Sequence, residues 1–259
     1  MKWTSKKLSD YIKEEINKKS RLTLQEGDFS KQNKEAIEAI SKGVSYGHNE
    51  WQNDVRINNV FVSGGTCSAL GPLTSFATGV ANIGCISGRI NNNTIIDKIS
   101  SFLPGKRIVN LDKYLLSLII SISNAFSKIY NNWLSELQIN NIKVINGFCS
   151  CQAPPSSTVG SFSNGIGSLE TLSGNISIKL NKKDLKDEAL QQLKSYLLLN
   201  EGSYSKPLFQ YVESITNGII SMQNEWIIDT KIDQLKVNGG ISIFLGPITS
   251  SVGKDGKFI

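Results

Sequence analysis

Residues 37–72 read IEAISKGVSYGHNEWQNDVRINNVFVSGGTCSALGP, and two later stretches align with them over all 36 positions without a gap. These are 119–154, IISISNAFSKIYNNWLSELQINNIKVINGFCSCQAP, and 212–247, VESITNGIISMQNEWIIDTKIDQLKVNGGISIFLGP. The alignment is anchored by Trp51, Trp133 and Trp226, each of which ends a helical pattern and begins an extended one. Fourteen, eleven and seven residues before them stand Ile37, Ile40 and Val44, then Ile119, Ile122 and Phe126, then Val212, Ile215 and Ile219. That spacing lays one apolar stripe along one helix face. Eight residues before each tryptophan the residue is small (Gly43, Ala125, Gly218), which predicts close approach of another backbone, expected here as a tight helix–sheet contact.

Downstream, Ile57, Val60 and Val62 align with Ile139, Ile142 and Val144 and with Ile232, Leu235 and Val237. The apolar phase breaks across a polar pair (Asn58-Asn59, Asn140-Asn141, Asp233-Gln234), which predicts two short strands joined by a tight turn in preference to one strand carrying a bulge. A glycine follows at a fixed place (Gly65, Gly147, Gly240), then a proline (Pro72, Pro154, Pro247), and then Gly- and Ser-rich stretches at 74–79, 156–167 and 249–253. Gly at one place suggests a positive φ or a close approach, while Pro cannot donate to a ladder, so this part reads as a loop returning into a further strand. Shorter helical patterns at 8–16, 95–103 and 188–198 precede each stretch.

The expected fold class is therefore α+β: three tandem divergent repeats, each of short helix, longer helix, β-hairpin, Gly/Pro loop and a further strand. The units are expected at residues 1–90, 91–173 and 174–259, the third truncated at its C-terminal end because it stops six residues after Gly253.

The bulk composition bounds the function. Of 259 residues, 39% are hydrophobic and 19% charged, which describes an ordinary globular chain able to bury a core. The net charge of +6 is concentrated at the start, where residues 1–34 hold nine Lys or Arg against five Asp or Glu. Only four arginines occur (Arg21, Arg56, Arg89, Arg107), and bidentate reading of phosphate or guanine favours Arg, so a solvated helical face is expected there and nucleic acid is disfavoured as a partner. No apolar segment follows the first seven residues, so a cytoplasmic folding site is expected. Residues 114–126 are the most apolar run, interrupted by Ser117, Ser121, Ser123 and Asn124; this is too short to cross a bilayer and reads as a buried helix.

Little in the sequence points to catalysis. The four cysteines (Cys67, Cys85, Cys149, Cys151) read as free thiols, since Cys149-Ser150-Cys151 is too closely spaced for a zinc ligand pair. The single histidine, His48, has Tyr130 and Gln223 at its aligned positions, and reads as a surface or satisfied core residue. Phosphate-loop, nucleophile-elbow and metalloprotease motifs are missing. The candidate signature residues, Trp51, Gly65, Pro72, Trp133, Gly147, Pro154, Trp226, Gly240 and Pro247, are of the types that packing and backbone geometry demand. The tryptophans end the apolar stripe, so burial is expected over ligand stacking.

The Lys/Ile/Asn-rich composition and the pattern of Trp, Ile, apolar strand, Gly, Gly-Pro and a Ser/Gly run, as in residues 226–253, resemble virion structural proteins of large contractile-tailed bacteriophages. The resemblance implies a non-enzymatic tail, baseplate or neck component located in the virion, packing among other virion proteins, with no cofactor and with self-association compatible. Ser- and Gly-rich strands with exposed edges fit strand addition by such partners. The alternative is a carbohydrate- or peptide-binding module using the Gly/Pro loops.

Overall fold

A computed structural model describes residues 2–19, 28–65, 71–72, 75, 77–103, 113–145, 148–150, 161–168, 180–197, 205–239 and 248–259. Three shorter helices, α1 (Ser5–Lys18), α3 (Asn92–Phe102) and α5 (Lys182–Leu197), alternate with three longer ones, α2 (Asp28–Asp54), α4 (Lys113–Glu136) and α6 (Ser205–Asp229). The helix starts are set locally. Thr4 caps α1 by accepting from the Lys7 amide, and Asn91 caps α3 by accepting from the Asn93 amide, each satisfying a donor that the first turn leaves free. The expected buried helix at 114–126 is α4, in which Leu118, Ile119, Ile122, Ala125 and Phe126 are buried.

The helices close into a ring. Each neighbour in the chain packs on the next, α1 on α2, α3 on α4 and α5 on α6, while α3 packs on α2, α5 on α4, and α1 returns to α6. The seams between these latter pairs explain the small residue eight positions before each tryptophan. A Cβ on Gly43 would overlap Ile99 Cγ1 and stand 3.0 Å from the Ile95 carbonyl oxygen. One on Gly218 would meet Ile12 Cγ1 at 2.6 Å and the Ile12 amide nitrogen at 3.0 Å. The close approach predicted from these residues is therefore between two helices, not helix and sheet. A crossing helix needs the space because its backbone, as well as a branched side chain, lies against the glycine. In the third seam Ala125 faces the same task, and Ala189 takes the place that Ile12 and Ile99 hold in the register 8/12/16, 95/99/103 and 185/189/193.

The strands form a second ring. Its members are β2 (Val60–Gly64), β4 (Ala77–Ala81), β6 (Ile139–Ile145), β8 (Ser161–Ser168), β10 (Leu235–Gly239) and β11 (Ile248–Lys254). All neighbours are antiparallel, in the order β10-β11-β2-β4-β6-β8, and β8 pairs back to β10 to close a six-stranded barrel. Two short strands, β3 (Gly71–Pro72) and β7 (Phe148–Ser150), extend the sheet from β8. Outside the barrel, β1 (Arg56–Ile57) pairs with β5 (Ile86–Ser87), and β9 (Ile232–Asp233) pairs with β12 (Lys257–Phe258).

Two strand-level expectations are corrected. The β-hairpin is not formed: β1 pairs with β5 while β2 pairs with β4 and β11, so the strands on either side of Asn58-Asn59 go to different sheets. The break comes from a left-handed residue, Asn59 at φ 55° and Gln234 at φ 60°, a conformation that asparagine tolerates better than most side chains. In the middle segment β6 runs through Asn140-Asn141 unbroken, and its register against β4 shifts between Gly79 and Ala81 as a bulge. The Ser/Gly-rich strands do not offer free edges, since β4 lies between β2 and β6, β11 between β10 and β2, and β8 between β10 and the β6 and β7 pair. In the last segment β12 pairs with β9 as β5 does with β1 in the first.

The barrel interior explains the composition of those strands. Val60, Val62, Ile142, Val144, Leu235 and Val237 are buried on β2, β6 and β10, whereas β4 contributes Ala77, Gly79 and Ala81, and β11 contributes Ser251 and Gly253. A Cβ on Gly79 would stand 2.9 Å from Val60 Cγ1 and 3.2 Å from Ile142 Cβ. Six strands enclose too little space for large side chains from every strand, and among the five strands whose side chains are described large and small alternate.

Candidate functional site

The three long helices converge where they give way to the barrel, and the aligned residues His48, Tyr130 and Gln223 meet at the centre of the helix ring. Each sits three residues before its tryptophan, which continues the −14, −11, −7 stripe by one further step. All three are fully buried. His48 Nε2 lies 2.9 Å from the Tyr130 hydroxyl, and that hydroxyl donates to Gln223 Oε1 at 3.1 Å. A phenol has one proton, so with Tyr130 donating to Gln223 the bond to His48 takes its proton from Nε2. His48 Nδ1 and Gln223 Nε2 have no hydrogen-bond partner among the described residues.

An aromatic shell surrounds this chain. Trp3, from the segment preceding α1, stacks on the imidazole with ring centroids 4.1 Å apart and planes 13° from parallel. Trp51, Tyr130 and Trp226 meet the imidazole by their edges at 5.2, 5.5 and 5.3 Å. Phe258 of β12 packs on both Trp51 and Trp226, and Trp133 packs on Tyr130. Gln52 accepts from the Trp226 indole at 3.0 Å and is itself buried. Trp3 is tied down twice, since its amide donates to Asn49 Oδ1 at 2.8 Å and its carbonyl accepts from Asn49 Nδ2 at 2.8 Å.

The electrostatics follow from burial. The His48 imidazole is held well below its ordinary pKa because an ion there would lose its hydration; the Asn49 side chain offsets part of this, and the positive amino terminus adds to it. Tyr130 is pushed well above the usual phenol range by the same burial, with Gln223 opposing. The trio with its shell closed is thus uncharged near neutral pH. Beside it, a shallow cleft of about 420 Å³ is lined by Lys2, Gln52, Asn53, Lys257, Phe258 and Ile259, so the two ends of the chain border the same surface.

The signature residues divide by place. Trp51, Trp133 and Trp226 are buried, as expected from the end of the stripe. Gly65 has a positive φ of 76°, and Pro72 lies in β3 opposite Phe148. Gly147, Pro154, Gly240 and Pro247 lie outside the described residues, as do Cys67 and Cys151. Cys85 is a buried free thiol pushed up to about 11 by desolvation. Among the described residues no group of three or more His, Cys, Asp or Glu is placed to hold a metal ion, and no helix is long and apolar enough to cross a membrane. What the sequence reading missed was that the aligned His48, Tyr130 and Gln223 come together. The signal was present: three residues with polar ends occupy a stripe position that is otherwise apolar.

No protein-family profile, curated protein or solved structure matches this chain significantly.

Proposed function

We propose that this protein is a non-enzymatic structural and assembly component, built as three tandem divergent repeats fused in one chain. In this reading the units at 1–90, 91–173 and 174–259 each supply one short helix, one long helix and two barrel strands. The observation that carries it is the double ring. The strands alternate as β2-β4, β6-β8 and β10-β11, and each short helix seats on the long helix of the preceding unit, with α1 on α6 completing the cycle. Such an arrangement is what three identical subunits around a threefold axis would form, with the covalent links added.

The reading favours scaffolding over catalysis because the aligned positions are spent on packing. The single histidine is enclosed by four aromatic rings, and the tryptophans are inside, where they offer no face to a sugar. Together with the resemblance of the sequence to virion structural proteins of contractile-tailed phages, this supports a tail or baseplate component that contacts other virion proteins. The test is fractionation of assembled particles followed by quantitative mass spectrometry. A fixed copy number per particle is expected; recovery only from the host cytosol after assembly would refute the proposal.

A further inference from the structure

We propose that His48 and Trp3 form an acid-sensitive latch, in which protonation of His48 expels the N-terminal strap (residues 2–4) from the centre of the helix ring. The geometry sets up a switch. Trp3 is only 2% exposed and lies flat on the imidazole, but it lies in the extended segment before α1 and is held to α2 by the Asn49 side chain. Of the four rings that meet the imidazole, it is the one that lies outside a helix.

A charged imidazole has Asn49 beside it but no opposite charge to pair with. From α2 it is met by Trp51 and Asn49, from α4 by Tyr130, whose hydroxyl passes on to Gln223, from α6 by Trp226, and from the strap by Trp3 and the positive amino terminus. On α6, Glu225 has both oxygens engaged, one by Lys7 and the other by Tyr11 at 2.6 Å. Among the described residues no carboxylate acts on the imidazole to offset the cost of a buried ion, and hydration through a displaced strap is the available relief.

The sign and window follow. With the strap closed the imidazole is neutral, and with it released the imidazole titrates near the ordinary histidine value of about 6.5. Below that pH the released state binds one more proton, so release is favoured about tenfold for each pH unit. Above it, the closed strap is at full strength. The carboxylates that hold α1 to α6, Glu225, Glu213 and Glu15, are all kept below the ordinary carboxylate value by their partners and stay ionised between pH 6.5 and 5. Acid in this window therefore loosens the strap while α1 stays clamped.

The test is hydrogen exchange on the intact chain, followed by NMR with the imidazole resonances recorded alongside. After correction for intrinsic rates, the protection factor of the Trp3 amide is expected to fall about tenfold per pH unit from 6 to 5, in step with protonation of His48. Barrel amides of β2 and β4 are expected to remain more protected than Trp3 throughout. In Trp3→Ala the His48 titration is expected to move up towards 6.5, and in His48→Gln the Trp3 protection is expected to be flat with pH. The latch is overturned if Trp3 protection is flat in the wild type, if His48→Gln keeps the fall, or if the barrel amides open equally with the strap. Should His48→Gln not fold, the wild-type comparison of imidazole titration with Trp3 protection decides alone.

Discussion

At Gly43 a single hydrogen in place of a methyl group sets how close two helices lie. Alanine is intrinsically a better helix residue by about 1 kcal/mol, so Gly43→Ala would stabilise an isolated α2. In the ring, however, the new methyl would overlap Ile99 and press on the Ile95 carbonyl. Overpacking of this kind costs roughly 1–3 kcal/mol, and the net expectation is a loss of stability in urea unfolding. Gly43→Ala combined with Ile99→Ala recreates the Ala125 and Ala189 combination of the α4–α5 seam, and is expected to be less destabilised than Ile99→Ala alone. Tyr130 tests the centre of the ring. Removing its hydroxyl in Tyr130→Phe leaves His48 Nε2 and Gln223 Oε1 buried without their partner, at a cost of about 1–3 kcal/mol for each group left unsatisfied. Unfolding with unchanged m-value and a lower midpoint would be the signature; an unchanged midpoint would show that the chain of hydrogen bonds contributes nothing net.

At the scale of elements, what could be read from sequence was what depends on spacing along the chain. The helical stripe, the burial of the tryptophans and the onset of strands after them all follow from positions within one segment, and the structure has them. What could not be read was partner choice. The phase break at Asn58-Asn59 looks the same whether two strands fold back on each other or diverge into two sheets, because the side-chain alternation is identical in both. The small residues before the tryptophans announced a close approach without saying from what. Likewise the Ser- and Gly-rich stretches looked like weak edge strands, whereas closure of a narrow barrel makes small side chains a requirement. That requirement is testable at Gly79, which is walled by Val60 and Ile142. Gly79→Val is expected to destabilise by at least the 1–3 kcal/mol typical of overpacking. Thr78→Val, on the neighbouring half-buried position of the same strand, is expected to be within about 0.5 kcal/mol of wild type. Thermal unfolding of the pair separates interior volume from strand propensity, since valine raises the latter at both sites.

For the whole molecule, closure makes the position of the chain ends a matter of connection and not of packing. The seam between first and last helices is built like the others, with Ile12 against Gly218, and is further clasped by Lys7 on Glu225, Lys19 on Glu213 at 2.5 Å and Asn217 on Glu15 at 2.5 Å. The two ion pairs are partly exposed and contribute little, so the apolar contact dominates the seam. Lys2 and Ile259 border one cleft, so a short Gly/Ser linker can join the two ends. A circular permutant beginning at residue 28 and ending, after that linker, with residues 1–19 keeps every helix seam and every barrel ladder while α1 enters the ring from the other side. It is expected to fold with cooperative unfolding and a midpoint within a few degrees of the parent, because exposed, adjacent termini are where permutation is tolerated. A version that lacks residues 1–19 altogether exposes the Gly218 face of α6 and uncovers His48, and it is expected to lose cooperative unfolding and to regain it on addition of a peptide of residues 1–19. If the shortened chain were as stable as the parent, α1 would be an appendage and the helix ring would not be a structural unit.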